Sequence, residues 1–273
     1  MPIRGSRGPD GRHSLTSLAL LLAYDGAAYR GWQVQADAPT VQGTVAEALA
    51  PLAGGPVRLT GASRTDAGVH ALGQVASFAV ERALAPAVVH AALNATLPRD
   101  IRVLAARAVP PGFDARRSAR LKRYGYLIVR APVAVPFLRG YACHVPRPVD
   151  VAAMRAALAA LRGKRDFSAF QAAAGRDRAP VCRVYAARLC VRGGLLGLFL
   201  SADAFLHHMV RNVVGTLLEV GQGRRPVEWV AEVLEGRDRR RAGPTAPALG
   251  LYLLGVRYAF PLFPGGGRLR RPP

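Results

Sequence analysis

Acidic side chains are scarce in this chain of 273 residues: 17 Asp and Glu stand against 38 Lys and Arg, a formal net charge of +21. A charge so one-sided disfavours basic proteins as partners and favours polyanions, nucleic acid above all. Lysine is almost absent too, Lys122 and Lys164 being the only two. A bias toward G- and C-rich codons explains arginine in place of lysine, but not the missing acids. Cysteine is rare: Cys143, Cys182 and Cys190 are odd in number and form no C-x-x-C pair. That speaks against a disulfide framework and suits a reducing cytosol. No run reaches the roughly 18 apolar residues of a membrane span.

Several chemical signatures are missing as well. There is no Walker loop, no G-x-S-x-G elbow and no G-x-G-x-x-G fingerprint, so nucleotide-driven and serine-nucleophile chemistry are disfavoured. None of the histidines sits in H-E-x-x-H or beside a spaced cysteine pair. His207 and His208 are adjacent in an expected helix, where neighbours point about 100° apart. They are therefore poor joint ligands, and no metal or cofactor is expected.

What is present begins with "MPIRGSRGPDGRHS", a basic leader before the short apolar run "LTSLALLLAY". This is the outline of a signal peptide, yet the run passes into "DGAAYRGWQ" without a small-x-small cleavage site. Leu18 to Tyr24 reads equally well as a buried strand. Residues 1–14 read as a disordered leader and 262–273, "LFPGGGRLRRPP", as a loose basic tail. Between them strands and helices alternate, and the fold class is α+β. Strands are expected at 18–24, 57–61, 72–80 and in "IRVLAARAV", with helices in "TVQGTVAEALAPLAG", capped by Thr40, and in "APAVVHAALNATL". "PPGFDARRSAR" breaks the pattern and places a boundary near residue 112, giving domains of 15–112 and 113–261.

The second unit opens on the strand "RLKRYGYLIVR". A helix follows, with Val151, Met154, Leu158 and Leu161 on one face. Then come a hairpin turning at Gly193-Gly194, the helix "LHHMVRNVVGTLLEVGQG", a helix with Pro226 in its first turn, and the closing strand "LGLYLLGVRYAF". Two units of similar plan suggest a duplication, although no repeat of sequence is visible.

Against this background the segment "GASRTDAGVHALGQVASF" stands out, because it spends a carboxylate in an acid-poor chain. Asp66 follows a strand end and precedes Gly68, so it is expected on a rigid loop. Arg64 is placed to pair with it and keep it ionised. By itself the pattern reads as an ordinary turn.

The segment resembles the catalytic stretch of the tRNA pseudouridine synthase I (TruA) family, and the likeness extends in order through the chain. "YDGAAYRGWQVQ" with "TVQGTVAEAL", "FDARRSARLKRYGYLI", "AFLHHMVRNVVGTLLEVG" and "PTAPALGLYLLGV" are similar to further motifs of that family, covering residues 18–258. The resemblance implies an isomerase that converts uridine to pseudouridine at positions 38, 39 and 40 of the tRNA anticodon stem-loop. It implies Asp66 as the essential aspartate, Tyr124 stacked on the target base, and Arg64 and Arg211 near the carboxylate and the RNA. Read without the family, Tyr124 is equally a core aromatic and Arg211 a surface arginine at the rim of a buried helix face. The resemblance further implies a homodimer in the cytoplasm, and a continuous, mostly antiparallel sheet flanked by helices, with the catalytic cleft between the two units. One carboxylate suffices for the reaction, by attacking sugar or base covalently or by removing a ribose proton. Ser63 departs from the family's usual glycine, and its bulk restricts the loop if that position needs a positive φ. Arg116 to Arg123 and "GRDRRRAGP" are expected to contact phosphates. A non-catalytic RNA-binding module, or a synthase acting on another RNA, are the competing readings; Asp66 separates the first of them, since a pure binder has no use for an acid facing phosphate.

Overall fold

The computed structural model describes residues 15–173 and 179–264, so the leader and the tail from residue 265 lie outside the described residues. The chain divides into two compact units, one of residues up to Arg120 together with those from Gly255 onward, the other of Leu121–Leu254. Both are α+β, with helices flanking strands that pair mostly antiparallel.

In the first unit β1 (Thr16–Tyr24) lies between β3 (His70–Val80) and β4 (Ile101–Ala108), antiparallel to both, and the short β2 (Thr60–Gly61) extends the edge on β3. Leu18 to Leu22 are all buried, which explains why β1 reads as a continuous apolar run rather than an alternating one: both of its faces are covered. Ala19 and Leu21 point into a cluster with Ala62, Val75, Ala115 and Leu262, closed by Phe113 and Tyr258. Leu18, Leu20 and Leu22 project to the opposite face by the two-residue period.

Helix α1 (Val41–Ala53) begins where expected, the Thr40 hydroxyl accepting from the Gly43 amide. Helix α2 (Pro86–Thr96) packs on β4. The strand expected over 57–61 is confined to Thr60–Gly61. The Gln42 side chain of α1 donates to the Leu59 carbonyl at 2.7 Å and takes the acceptor that a neighbouring strand would have used. Leu262, at the head of the expected loose tail, is buried, and its carbonyl accepts from Arg107 at 2.8 Å.

The second unit holds β5 (Leu121–Arg130), β6 (Cys143–Val145), α3 (Val151–Leu158), β7 (Gly163–Asp166), β8 (Val181–Arg192), β9 (Leu195–Ala202), α4 (Met209–Gly221) and α5 (Trp229–Gly236). The strands run β5-β9-β8-β7 with antiparallel pairing, and β6 lies parallel to β5. The hairpin between β8 and β9 turns at the two expected glycines, with Gly193 at φ 56° supplying the positive φ of a two-residue turn. Strand β10 (Leu251–Arg257) leads from the second unit back into the first.

Two expectations need correction. Helix α4 starts at Met209, not at Leu206, because His208 adopts a left-handed conformation at φ 60°. His207 and His208 are therefore not helical neighbours splayed apart; their rings lie 4.0 Å apart. Pro226 precedes α5 instead of occupying its first turn, and its carbonyl accepts from the Trp229 amide at 3.2 Å.

Candidate functional site

The loop that carries Asp66 is shaped by its neighbours in the first unit. Beyond β2 the chain leaves β3, and the Gln74 side chain takes over from the strand ladder. Its amide donates to the Ser63 carbonyl at 2.6 Å, and its oxygen accepts from the Ser63 amide at 3.2 Å. Gln74 is fully buried, so these two bonds have no competition from water and hold the loop at a set height above β3. The Thr65 hydroxyl then meets the Tyr24 hydroxyl at 2.8 Å, and the Thr65 carbonyl accepts from the Trp32 amide at 3.0 Å. Burial pushes the Tyr24 phenol well above its usual range, which keeps it a neutral hydrogen-bonding group.

Asp66 itself opens a tight turn, its carbonyl accepting from the Val69 amide at 3.1 Å, with Gly68 at φ 75° in the position where that sign is needed. The Gly68 amide reaches back to the Tyr29 carbonyl at 3.3 Å. The carboxylate is half-buried, whereas Arg64 is exposed. Ser63 is buried, and its φ is not positive, so the side chain added where the family has glycine sits there without backbone strain.

The segment "DGAAYRGW" acts as a cradle for this turn. A Cβ on Gly26 would stand 2.0 Å from the Val69 carbonyl oxygen, and one on Gly31, at φ 94°, would stand 2.6 Å from the Thr65 oxygen and 3.1 Å from the Asp66 carbonyl carbon. His70 is buried beneath, its Nδ1 3.1 Å from the Gly26 amide and 3.0 Å from an Asp25 oxygen. Gly31→Ala is therefore expected to cost about 2–4 kcal/mol, from left-handed strain plus the displaced loop. Urea unfolding measures the loss, and turnover per folded molecule should fall as well, because the backbone that must move carries Asp66.

Tyr124 and Arg211 belong to the second unit. Tyr124 lies on β5 opposite Leu200, is only 5 % exposed, and sets its ring edge-on to Phe205 at 4.9 Å. Arg211, on α4, is half-buried. Its Nε donates to the Ala246 carbonyl at 2.8 Å, and the Ala246 amide returns a bond to the Arg211 carbonyl at 3.2 Å. Two residues along β5 from Tyr124, the Tyr126 hydroxyl donates to the Pro247 carbonyl at 2.7 Å. Burial pushes the Tyr126 phenol far above its usual range, Cys143 adds to the rise, and Arg211 opposes it.

The arginines expected at phosphates divide into two kinds. Asp114 accepts from the amides of Arg116 and Arg117 at 2.8 Å each, Phe113 packs on Tyr258, and the side chains of Arg116, Arg117 and Arg120 are left exposed. Arg240 is exposed and chelates Asp238, whose carboxyl is drawn down to about 2 by hydrogen bonds from Arg240. Arg239 instead turns inward, to Asn212, Gly243 and Thr245. Gln74, Gly26, Gly31 and Asn212 were not singled out by sequence reasoning. A glutamine among the apolar residues of "HALGQVASFAV" was the one visible signal.

A family profile described as tRNA pseudouridine synthase matches residues 21–116 and 157–259. The chain is 48 % identical over 241 residues to the tRNA pseudouridine synthase A of Methylibium petroleiphilum, covering 88 % of this chain and 93 % of that one. It is 45 % identical over 247 residues to the Pseudomonas aeruginosa protein of the same name, covering 89 % and 86 %. It is 44 % identical over 255 residues to that of Neisseria gonorrhoeae, covering 93 % and 94 %. The aspartate turn, its glycine cradle and α4 fall within the two stretches the profile matches, whereas β5, with Tyr124, lies in the gap between them. By this extent of likeness the chain belongs to the tRNA pseudouridine synthase family, the TruA-type isomerases that its motifs resemble.

Proposed function

We propose that this chain isomerises uridine to pseudouridine at positions 38, 39 and 40 of the tRNA anticodon stem-loop, with Asp66 as the catalytic nucleophile. The observation that carries the reading is the carboxylate's setting. In a chain of net charge +21, a half-buried aspartate stands on a turn braced by Gln74, Thr65 and the 26–32 segment. An acid there weakens the hold on a polyanion, and such bracing suits a group that must meet a reacting atom in one geometry.

The reaction breaks the bond from uracil N1 to ribose C1′ and forms one from C5 to C1′. N1 gains a proton, C5 releases one to solvent, and nothing is oxidised. Attack by the Asp66 carboxylate, on the sugar or on the base, starts this exchange without a metal, and the carboxylate is regenerated when the C5 bond is complete. The base must first leave its stack, and Tyr124 supplies the aromatic face that receives it and excludes water. Arg211 stabilises charge near the carboxylate, and the exposed Arg64 contacts phosphate. The active form is a homodimer holding each tRNA across both subunits, in the cytoplasm. Among the described residues no helix is long and apolar enough to cross a membrane.

Pseudouridine mapping in tRNA from cells lacking the protein tests the proposal. Loss confined to positions 38–40 is the expected result, and an unchanged map at those positions overturns it. The basic surface gives a second expectation. The logarithm of tRNA affinity should fall with the logarithm of salt by about 0.7 to 0.9 per phosphate neutralised. Replacing Arg116 and Arg117 by glutamine should lower that slope, with saturated turnover retained. A flat salt response of the unmodified protein would remove phosphate contact as the use of its charge.

A further inference from the structure

Arg239, Arg240 and Arg241 are consecutive, yet their surroundings assign them different work. Arg240 stays in solvent beside Asp238, 2.8 Å away, and Arg241 is exposed. One guanidinium nitrogen of Arg239 donates to the Gly243 carbonyl at 2.9 Å and, more weakly, to that of Ala242 at 3.4 Å; the other donates to Asn212 Oδ1 and to Thr245 Oγ1, both at 3.1 Å. The same Asn212 oxygen accepts from the Thr245 hydroxyl at 2.7 Å, and the fully buried Asn212 anchors its amide on the Phe170 carbonyl at 2.8 Å.

These bonds pin a strap of residues 243–247 onto α4. The Gly243 amide donates to Thr216 Oγ1 at 3.0 Å. The Pro244 oxygen lies so close to Gly215 that a Cβ there would stand 1.7 Å from it. The strap then presents two carbonyls in succession, Ala246 to the Arg211 guanidinium and Pro247 to the Tyr126 hydroxyl. Five residues without regular structure would not hold a carbonyl still. A planar guanidinium with forked donors does so by tying strap to helix at several points at once.

We propose that Arg239 is a positioning residue for the isomerisation: by locking the 243–247 strap it fixes the Ala246 carbonyl that aims the Arg211 guanidinium. This rests on the role proposed above for Arg211. Arg239 is thus separate from the phosphate-contacting arginines among which its run would place it, and the family's motif "PTAPALG" acquires a mechanical use in this chain.

Single-turnover rates at saturating enzyme, read as tritium release from uracil C5 in labelled tRNA, test this together with the salt slope of tRNA binding. Arg239→Ala is expected to slow the rate about 10- to 100-fold, the cost of a misaimed group, with a wild-type salt slope and partial rescue by added guanidinium. Arg241→Ala, which removes an exposed arginine of the same run, is expected to lower the slope instead. The double variant Arg211→Ala with Arg239→Ala should be no slower than Arg211→Ala alone, since Arg239 acts through Arg211. A wild-type rate with a reduced slope for Arg239→Ala overturns the inference, and so does a double variant slowed by the product of the two single effects. Should Arg239→Ala fail to fold, Thr245→Val removes two bonds of the lock at nearly constant volume. A rate loss of about threefold or more with unchanged slope supports the inference, and a wild-type rate overturns it. If Arg211→Ala keeps full rate, the role of Arg211 falls first, an outcome distinct from a slow Arg211→Ala beside a fast Arg239→Ala.

Discussion

Asp66→Asn is expected to fold normally, bind tRNA as well as wild type or better, and form no pseudouridine. Asparagine keeps the size and turn preference of aspartate, and the bond that closes the turn, from the Val69 amide to the residue-66 carbonyl, is a backbone one. The braces from Gln74, Thr65 and Tyr29 do not involve the carboxylate either. What is lost is a negative charge that repels phosphate and nearly all nucleophilicity. The rate should fall by at least about 10³-fold, as when a residue acting directly on the reacting atoms is removed. Tritium release from uracil C5, under excess enzyme and long incubation, measures it, with mass spectrometry to exclude deamidation back to aspartate. Substantial release by intact Asp66→Asn, or lowered stability with activity kept, would return Asp66 to the rank of a turn residue.

Tyr124→Leu carries the second large effect, a fall in turnover of about 10- to 100-fold, while Tyr124→Phe stays within about threefold. The aromatic face is the quantity under test, worth about 1 to 3 kcal/mol for a stacked base. The ring is 5 % exposed and edge-on to Phe205, so the leucine variant loses packing too and should melt earlier. The two contributions separate when single-turnover rate is expressed per folded molecule at a temperature below both transitions. A leucine variant that melts early but turns over like wild type would make Tyr124 a core residue only.

Most elements were legible because their physics is local. β1 announced itself as an apolar run, α1 by Thr40 at its start, and the β8–β9 hairpin by two glycines. Where the reading failed, a distant or conformational partner had intervened. Gln42 took the Leu59 carbonyl and shortened β2, and a left-handed His208 moved the start of α4 by a turn. Neither appears in a pattern of apolar positions, since both depend on which polar atom happens to be near. Short strands such as β6, three residues beside β5, carry too little periodicity to be seen at all.

The order of motifs along the chain, and with it the family and the aspartate on which the chemistry is proposed to turn, was determined by sequence alone, because residue identity is what those motifs consist of. The structure decided what holds the aspartate. Gly26 and Gly31 are 35 or more residues distant from Asp66 in the chain, and they matter only because the absence of a Cβ lets two backbones meet. The same holds for Arg239: by composition it is one of many cations, and only the fold brings Asn212, Gly243 and Thr245 within reach of its donors. Side-chain chemistry is written one residue at a time, but close approach and hydrogen-bond partnership belong to pairs that the chain brings together by folding.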